Sequence, residues 1–157
     1  MKIFSAFINL AFISTCLISC GKDEEPAPQP TKTDHITASA WKLEDVGFDQ
    51  DKNGTIELSG MAAVLSCQVD NALSFKTNNT GITEEGGTKC NAGDPQTSNF
   101  NWSFADAEAN INISNSVLGQ MNGKSKVVVL TSTNLTLSRD TTISGLGSGW
   151  IVVKLKH

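Results

Sequence analysis

The chain has 157 residues, with 12 basic and 16 acidic side chains, a formal net charge of −4 and 39% hydrophobic residues. An acidic balance argues against nucleic acid and anionic headgroups as partners, because both are held by clusters of cations. The length suits one domain with a single core.

Residues 1–19 are expected to be a signal peptide rather than part of the fold. Lys2 supplies a positive start, and Ile3 to Ile18 is almost wholly apolar or small. Such a run is too short and wrongly flanked for a stable transmembrane helix. It ends in Leu17-Ile18-Ser19-Cys20, which resembles a bacterial lipobox, with cleavage just before the cysteine. Cys20 is therefore the expected lipidation site, bearing diacylglycerol on sulfur and an acyl chain such as palmitate on the amine. Several chains anchor far more firmly than one, at ~0.8 kcal/mol per buried CH₂. Lys22-Asp23-Glu24-Glu25 resembles the surface-export signal of lipoproteins from Bacteroidetes-type bacteria; as plain chemistry it is a solvated tether. Pro26, Pro28 and Pro30 extend it, so residues 20–35 read as a flexible polar spacer and residues 36–157 as the domain. The expected address is the outer membrane, at the cell surface, with the lipid anchor as the membrane partner.

From Ala40 onward the chain reads as all-β. Apolar residues alternate, Thr, Ser, Asn and Gly are abundant, and helical periodicity is scarce. Strand one is expected at Ala40–Gly47, followed by an acidic loop from Asp49 to Gly60. Met61–Leu65 is the one short helix expected. Strands follow at Ala72–Thr77, Gly81–Glu85 and Asn99–Phe104, the last with Phe100, Trp102 and Phe104 on one face. Ile111 and Ile113 mark a fifth strand. Asn122-Gly123 signals a turn, and Val117–Met121 before it reads as an extension of a strand. Ser125–Thr131, Asn134–Ser138 and Trp150–Lys156 complete eight. Short spacing, hairpin turns and no crossover helices fit an antiparallel up-and-down barrel or a sandwich.

Cys67 and Cys90 are the two cysteines left once Cys16 leaves with the signal and Cys20 is lipidated. An even pair in an exported protein reads as one disulfide, with a metal pair as the minor alternative.

Several segments together carry a resemblance. They are Trp41-Lys-Leu43, Asp49-Gln-Asp51-Lys-Asn53-Gly54, Cys67-x-x-Asp70, Leu73-x-Phe75 and Thr80-Gly81. Glu85-Gly-Gly-Thr-Lys-Cys90, Asp94-Pro-Gln-Thr97, Trp102-Ser-Phe104, Val129-Leu-Thr131 and Leu135-Thr-Leu137 continue it. In this order they resemble the lipocalin-like domain of Bacteroidetes lipoproteins, over about residues 36–156. The resemblance implies an eight-stranded calycin-type barrel with one disulfide, and no particular ligand. Ser39-Ala40 stand before Trp41, where lipocalins carry a Gly two residues ahead of the Trp.

Two candidate sites follow. Asp49-x-Asp51-x-Asn53-x-Thr55-x-Glu57 sets oxygen ligands at alternate positions around Gly54, the first half of a Ca²⁺ loop. Gly60 stands where an EF-hand needs a bidentate Glu, so the expectation is a weak, structural calcium site, weighed against an Asx-rich turn. Trp41, Phe75, Trp102 and Trp150 are the candidate lining of an interior pocket for a small hydrophobic ligand. The competing reading is a barrel filled by these same side chains, a surface or structural module. No catalytic spacing is visible, so no enzyme is expected: His35 falls in the spacer and His157 is the last residue. The protein is expected to be a monomer.

Overall fold

The computed structural model describes residues 28–116 and 119–157. The signal segment and Cys20 lie outside the described residues. Strands β1 (Trp41–Asp49), β2 (Leu58–Ser59), β3 (Ala72–Phe75), β4 (Thr80–Glu84) and β5 (Thr97–Ala105) are followed by β6 (Asn110–Ser114), β7 (Gly123–Leu130), β8 (Asn134–Ile143) and β9 (Gly147–Lys156). They form one antiparallel sheet in the order β2-β1-β3-β4-β5-β6-β7-β8-β9, and β1 pairs again with β9. That second pairing closes eight strands into an up-and-down barrel, the expected fold class, with β2 outside the circuit.

Alternation decides which residues face inward. Leu43, Val46 and Phe48 on β1 lie across from Leu155, Val153 and Ile151 on β9, and Leu135 and Leu137 on β8 continue the same rows. With Leu73, Phe75, Phe100, Trp102, Ile111 and Ile113, most of these residues form one buried cluster. Around β4 the wall is thin. Gly81 pairs with both Phe75 and Phe100, and a Cβ on it would lie 2.1 Å from the Phe100 ring. The Phe100 ring therefore lies directly on the glycine, filling space that a side chain there would take.

Helix α1 (Lys32–Thr37) occupies part of the segment expected to be spacer. Its signal is a capping box: the Thr31 side chain accepts from the Asp34 N–H while the Asp34 carboxylate accepts from the Thr31 N–H. The three prolines upstream and the polar composition masked it. Ile36 is fully buried, and the Trp41 indole donates to its carbonyl at 2.9 Å. The helix packs against both β3 and β7, which stand on opposite sides of the barrel, so it crosses and closes one mouth.

The expected helix at Met61–Leu65 is a 3-10 turn over Met61–Ala63, broken by extended backbone at Val64, before helix α2 (Ser66–Val69). Val117 and Leu118 lie outside the described residues; beyond them Gly119–Met121 is a 3-10 turn rather than strand. The Asn122 amide holds the loop ends together by accepting from Ser116 N at 2.8 Å and donating to Ser116 O at 2.9 Å. Strands β8 and β9 run longer than expected. Gly145 and Gly147, both at positive φ, make their hairpin turn, and Gly149 lies inside the strand. A Cβ on Gly149 would lie 2.6 Å from the Phe48 ring, so this glycine makes room for that ring.

Candidate functional site

The acidic loop leaves the end of β1 and folds back along it, with Phe48 pairing Leu58 and Gly47 pairing Ser59. Ile56 covers Gly47, where an added Cβ would fall 2.3 Å from the Ile56 side chain. Within the loop, Asp49, Asp51 and Glu57 bring carboxylate oxygens within 4.8 Å of one another, an arrangement that could hold a metal ion. Asp49 is fully buried and accepts from Gly54 N at 2.7 Å and Asn53 N at 3.2 Å. Asp51 accepts from the Asn53 backbone N–H at 3.2 Å and its side-chain amide at 2.9 Å. Glu57 accepts from Gln50 N at 2.7 Å. Asn53 itself accepts from Thr55 N at 2.7 Å, the pattern of an Asx turn. Asn53 and Thr55 are exposed, with their side chains at the loop surface. Of the five residues expected to gather here, the three carboxylates do, and they already accept from loop N–H groups.

The four aromatics expected to line an interior pocket divide. Trp41, Phe75 and Trp102 are buried, at 0%, 3% and 4% exposure, and belong to the packed cluster. Phe75 meets Phe100 and Trp102 edge-on at 5.1 and 5.5 Å, and Trp102 meets Phe104 edge-on at 5.4 Å. The indole N–H of Trp102 donates to the carbonyls of Thr80 (3.0 Å) and Lys76 (3.1 Å). Trp41 is covered by the His157 ring, with centroids 3.8 Å apart. Trp150 corrects the expectation: it lies on the outer wall, across from Asp140 and alternating with the inward Ile151. The error has a physical source. Around Trp150 both faces of β9 are apolar, and only the pairing of Ile151, Val153 and Leu155 with β1 and β8 identifies the inner one.

Around Trp150 the outer wall carries a groove of about 460 Å³. Lys126 holds its ammonium 4.8 Å from the centre of the Trp150 ring, a cation–π contact. Lys124 pairs with Asp106 at 2.5 Å, and Asp140 pairs with Lys52 of the acidic loop at 2.5 Å. The hydrogen bond from Lys52 is the main reason that Asp140 titrates below the usual carboxylate range, and Lys124 does the same for Asp106. Arg139 also borders the groove, with its guanidinium donating to the carbonyl of Asn122. Sequence reading missed this site because its residues are scattered over β6 to β9 and only register gathers them.

The disulfide expected between Cys67 and Cys90 is formed, with Cα atoms 5.1 Å apart. It ties α2 to the β4–β5 loop. No helix among the described residues is long and apolar enough to cross a membrane. No protein-family model matches this chain, and no curated protein matches it either.

Proposed function

We propose that the protein is a lipid-anchored, lipocalin-like barrel of the outer membrane, displayed at the cell surface, that works through its outer wall and loops. The reading of anchor and address rests on Leu17-Ile18-Ser19-Cys20 behind the apolar run and on the acidic residues after Lys22. One observation favours a filled interior over an apolar ligand inside: the buried aromatics expected to line a pocket pack against one another, ring to ring. An eight-stranded barrel has an interior that side chains alone can fill. With α1 across one mouth, an apolar ligand entering there would have to displace both helix and rings.

Native mass spectrometry of the protein purified from its own host tests this reading. The expected mass is that of a chain beginning at Cys20 plus its lipid, without a stoichiometric apolar adduct. A retained fatty acid or similar molecule restores the interior-ligand reading. Cys20→Ser is expected to move the protein out of the membrane fraction; if it stays bound, the anchor lies elsewhere.

The finer reading of the acidic loop is a weak structural Ca²⁺ site. Three carboxylates this close repel one another when ionised, and a divalent cation would relieve that repulsion. Millimolar Ca²⁺ is expected to raise the melting temperature by roughly 2–5 °C over a chelator control. An unchanged melting temperature would leave the loop as an Asx-rich turn.

A further inference from the structure

The groove around Trp150 contains a feature that the fold does not need. Register sets Asn110, Lys126 and Ser138 directly across from one another on β6, β7 and β8, with Asp140 and Trp150 paired alongside on β8 and β9. Ser138 is 2% exposed, and its hydroxyl has no hydrogen-bond partner among the described residues. A buried hydroxyl without a partner is a cost to the folded state, and one that lies beneath the floor of a groove gains a partner from outside once its cover shifts.

The other polar groups divide into used and unused. The charges of Lys124 and Asp140 are taken up by Asp106 and Lys52. The Asn110 amide N–H₂ donates to Asp106 at 2.7 Å, and Trp150 stands directly across from Asp140. Lys126 makes no salt bridge among the described residues; it stands over the Trp150 ring, and its charge is one of the smaller causes that lower the titration of the Asp140 carboxyl. Among its described residues the groove therefore offers a lysine outside any salt bridge, part of an indole surface and, just beneath them, an unpaired hydroxyl that a shift of its covering neighbours would open, while Arg139 is already engaged by the Asn122 carbonyl.

We infer that this groove binds a small organic carboxylate with a flat or ring-shaped body. Its carboxylate accepts from the Ser138 hydroxyl and the Lys126 ammonium, and its body lies against the Trp150 indole. One lysine outside the salt bridges of the described residues matches a single negative charge. A phosphate dianion would bring a second charge for which the described groove residues hold no further unpaired lysine, because Lys124 is paired with Asp106 and Arg139 is engaged by the Asn122 carbonyl. About 460 Å³ suffices for one ring and its acid group. An aromatic acid and an acidic sugar share this chemistry. The inference deepens the reading that the outer wall is the working surface, and rests on it.

The test is a titration of the ¹⁵N-labelled full chain, following the three indole N–H signals. Benzoate, glucuronate, sulfate and a long-chain fatty acid serve as separate probes. Benzoate or glucuronate is expected to shift Trp150 saturably in the millimolar range while Trp41 and Trp102 stay fixed, and the stronger of the two identifies the source. Lys126→Ala should weaken that binding about tenfold. Ser138→Ala should weaken it too, while leaving the melting temperature unchanged or raised, because the unpaired hydroxyl is gone. Three results would overturn the site: no Trp150 shift with either organic acid, an equal shift with sulfate, or a clear loss of stability in Ser138→Ala. A fatty acid that moves Trp41 and Trp102 instead would overturn the outer-wall reading itself, a separate outcome.

Discussion

Replacing Trp102 by Ala is expected to cost about 3–5 kcal/mol of stability, the range for emptying a buried Trp site. Trp102 is 4% exposed, edge-on to Phe75 and Phe104, and near the middle of the ring cluster that occupies the barrel. The cost has two parts, and Trp102→Phe separates them. Phe keeps most of the apolar volume but loses the indole N–H that donates to the Thr80 and Lys76 carbonyls. Both carbonyls keep a second partner, since Lys76 N donates to Thr80 O and Asn79 N donates to Lys76 O. The Phe variant is therefore expected to lose only about 1–2 kcal/mol. Trp150→Ala, made on the outer wall, is expected to lose less than about 1 kcal/mol. Urea denaturation of the three variants measures the order. If Trp102→Ala were no more harmful than Trp150→Ala, Trp102 would be lining a cavity rather than filling a core, and the interior-ligand reading would return.

The barrel was legible because its signal is redundant. Leu73/Phe75, Phe100/Trp102, Ile111/Ile113 and Leu135/Leu137 each repeat the alternation of a half-buried strand, and any one could be lost without changing the answer. The Cys67–Cys90 bond was legible from the cysteine count together with the expected export of the chain. What escaped was carried by pairing rather than by local pattern. Strand β2 is two residues long, too short to show a period. The run Val127-Val-Val-Leu130 hides a bulge: β7 shifts register against β8 between Val127 and Val129. The groove is the clearest case. Ser138, Lys126 and Trp150 are each unremarkable where they stand, and nothing local distinguishes an outward Ser that is exposed from one covered by its cross-strand neighbours. The acidic loop shows the converse. Its three carboxylates converge as their spacing suggests, yet the same spacing also produces the hydrogen bonds from loop N–H groups that already engage them.

Removing the disulfide by Cys67→Ser with Cys90→Ser is expected to cost about 3 kcal/mol, because a crosslink across this many residues withdraws much loop entropy from the unfolded chain. The folded state should change little, because the link is not the only tie between α2 and the β4–β5 loop. Asp70, at the end of α2, accepts from Thr88 N at 3.3 Å, and Asn71 accepts from Gly86 N at 3.2 Å. A Cβ on Gly86 would lie 2.2 Å from the Asp70 carboxyl carbon, so loop backbone and carboxylate are already in close contact. These contacts hold the loop in place once the chain is folded, but they do nothing to restrict the unfolded ensemble. Denaturation of the double variant should therefore show a lower midpoint and a steeper dependence on urea, as a longer unlinked chain exposes more surface. Reducing the parent protein should reproduce both changes. A loss below about 1 kcal/mol would mean that the unfolded chain already keeps α2 near the loop, and the Asp70–Thr88 contact would then be the place to look for that residual structure.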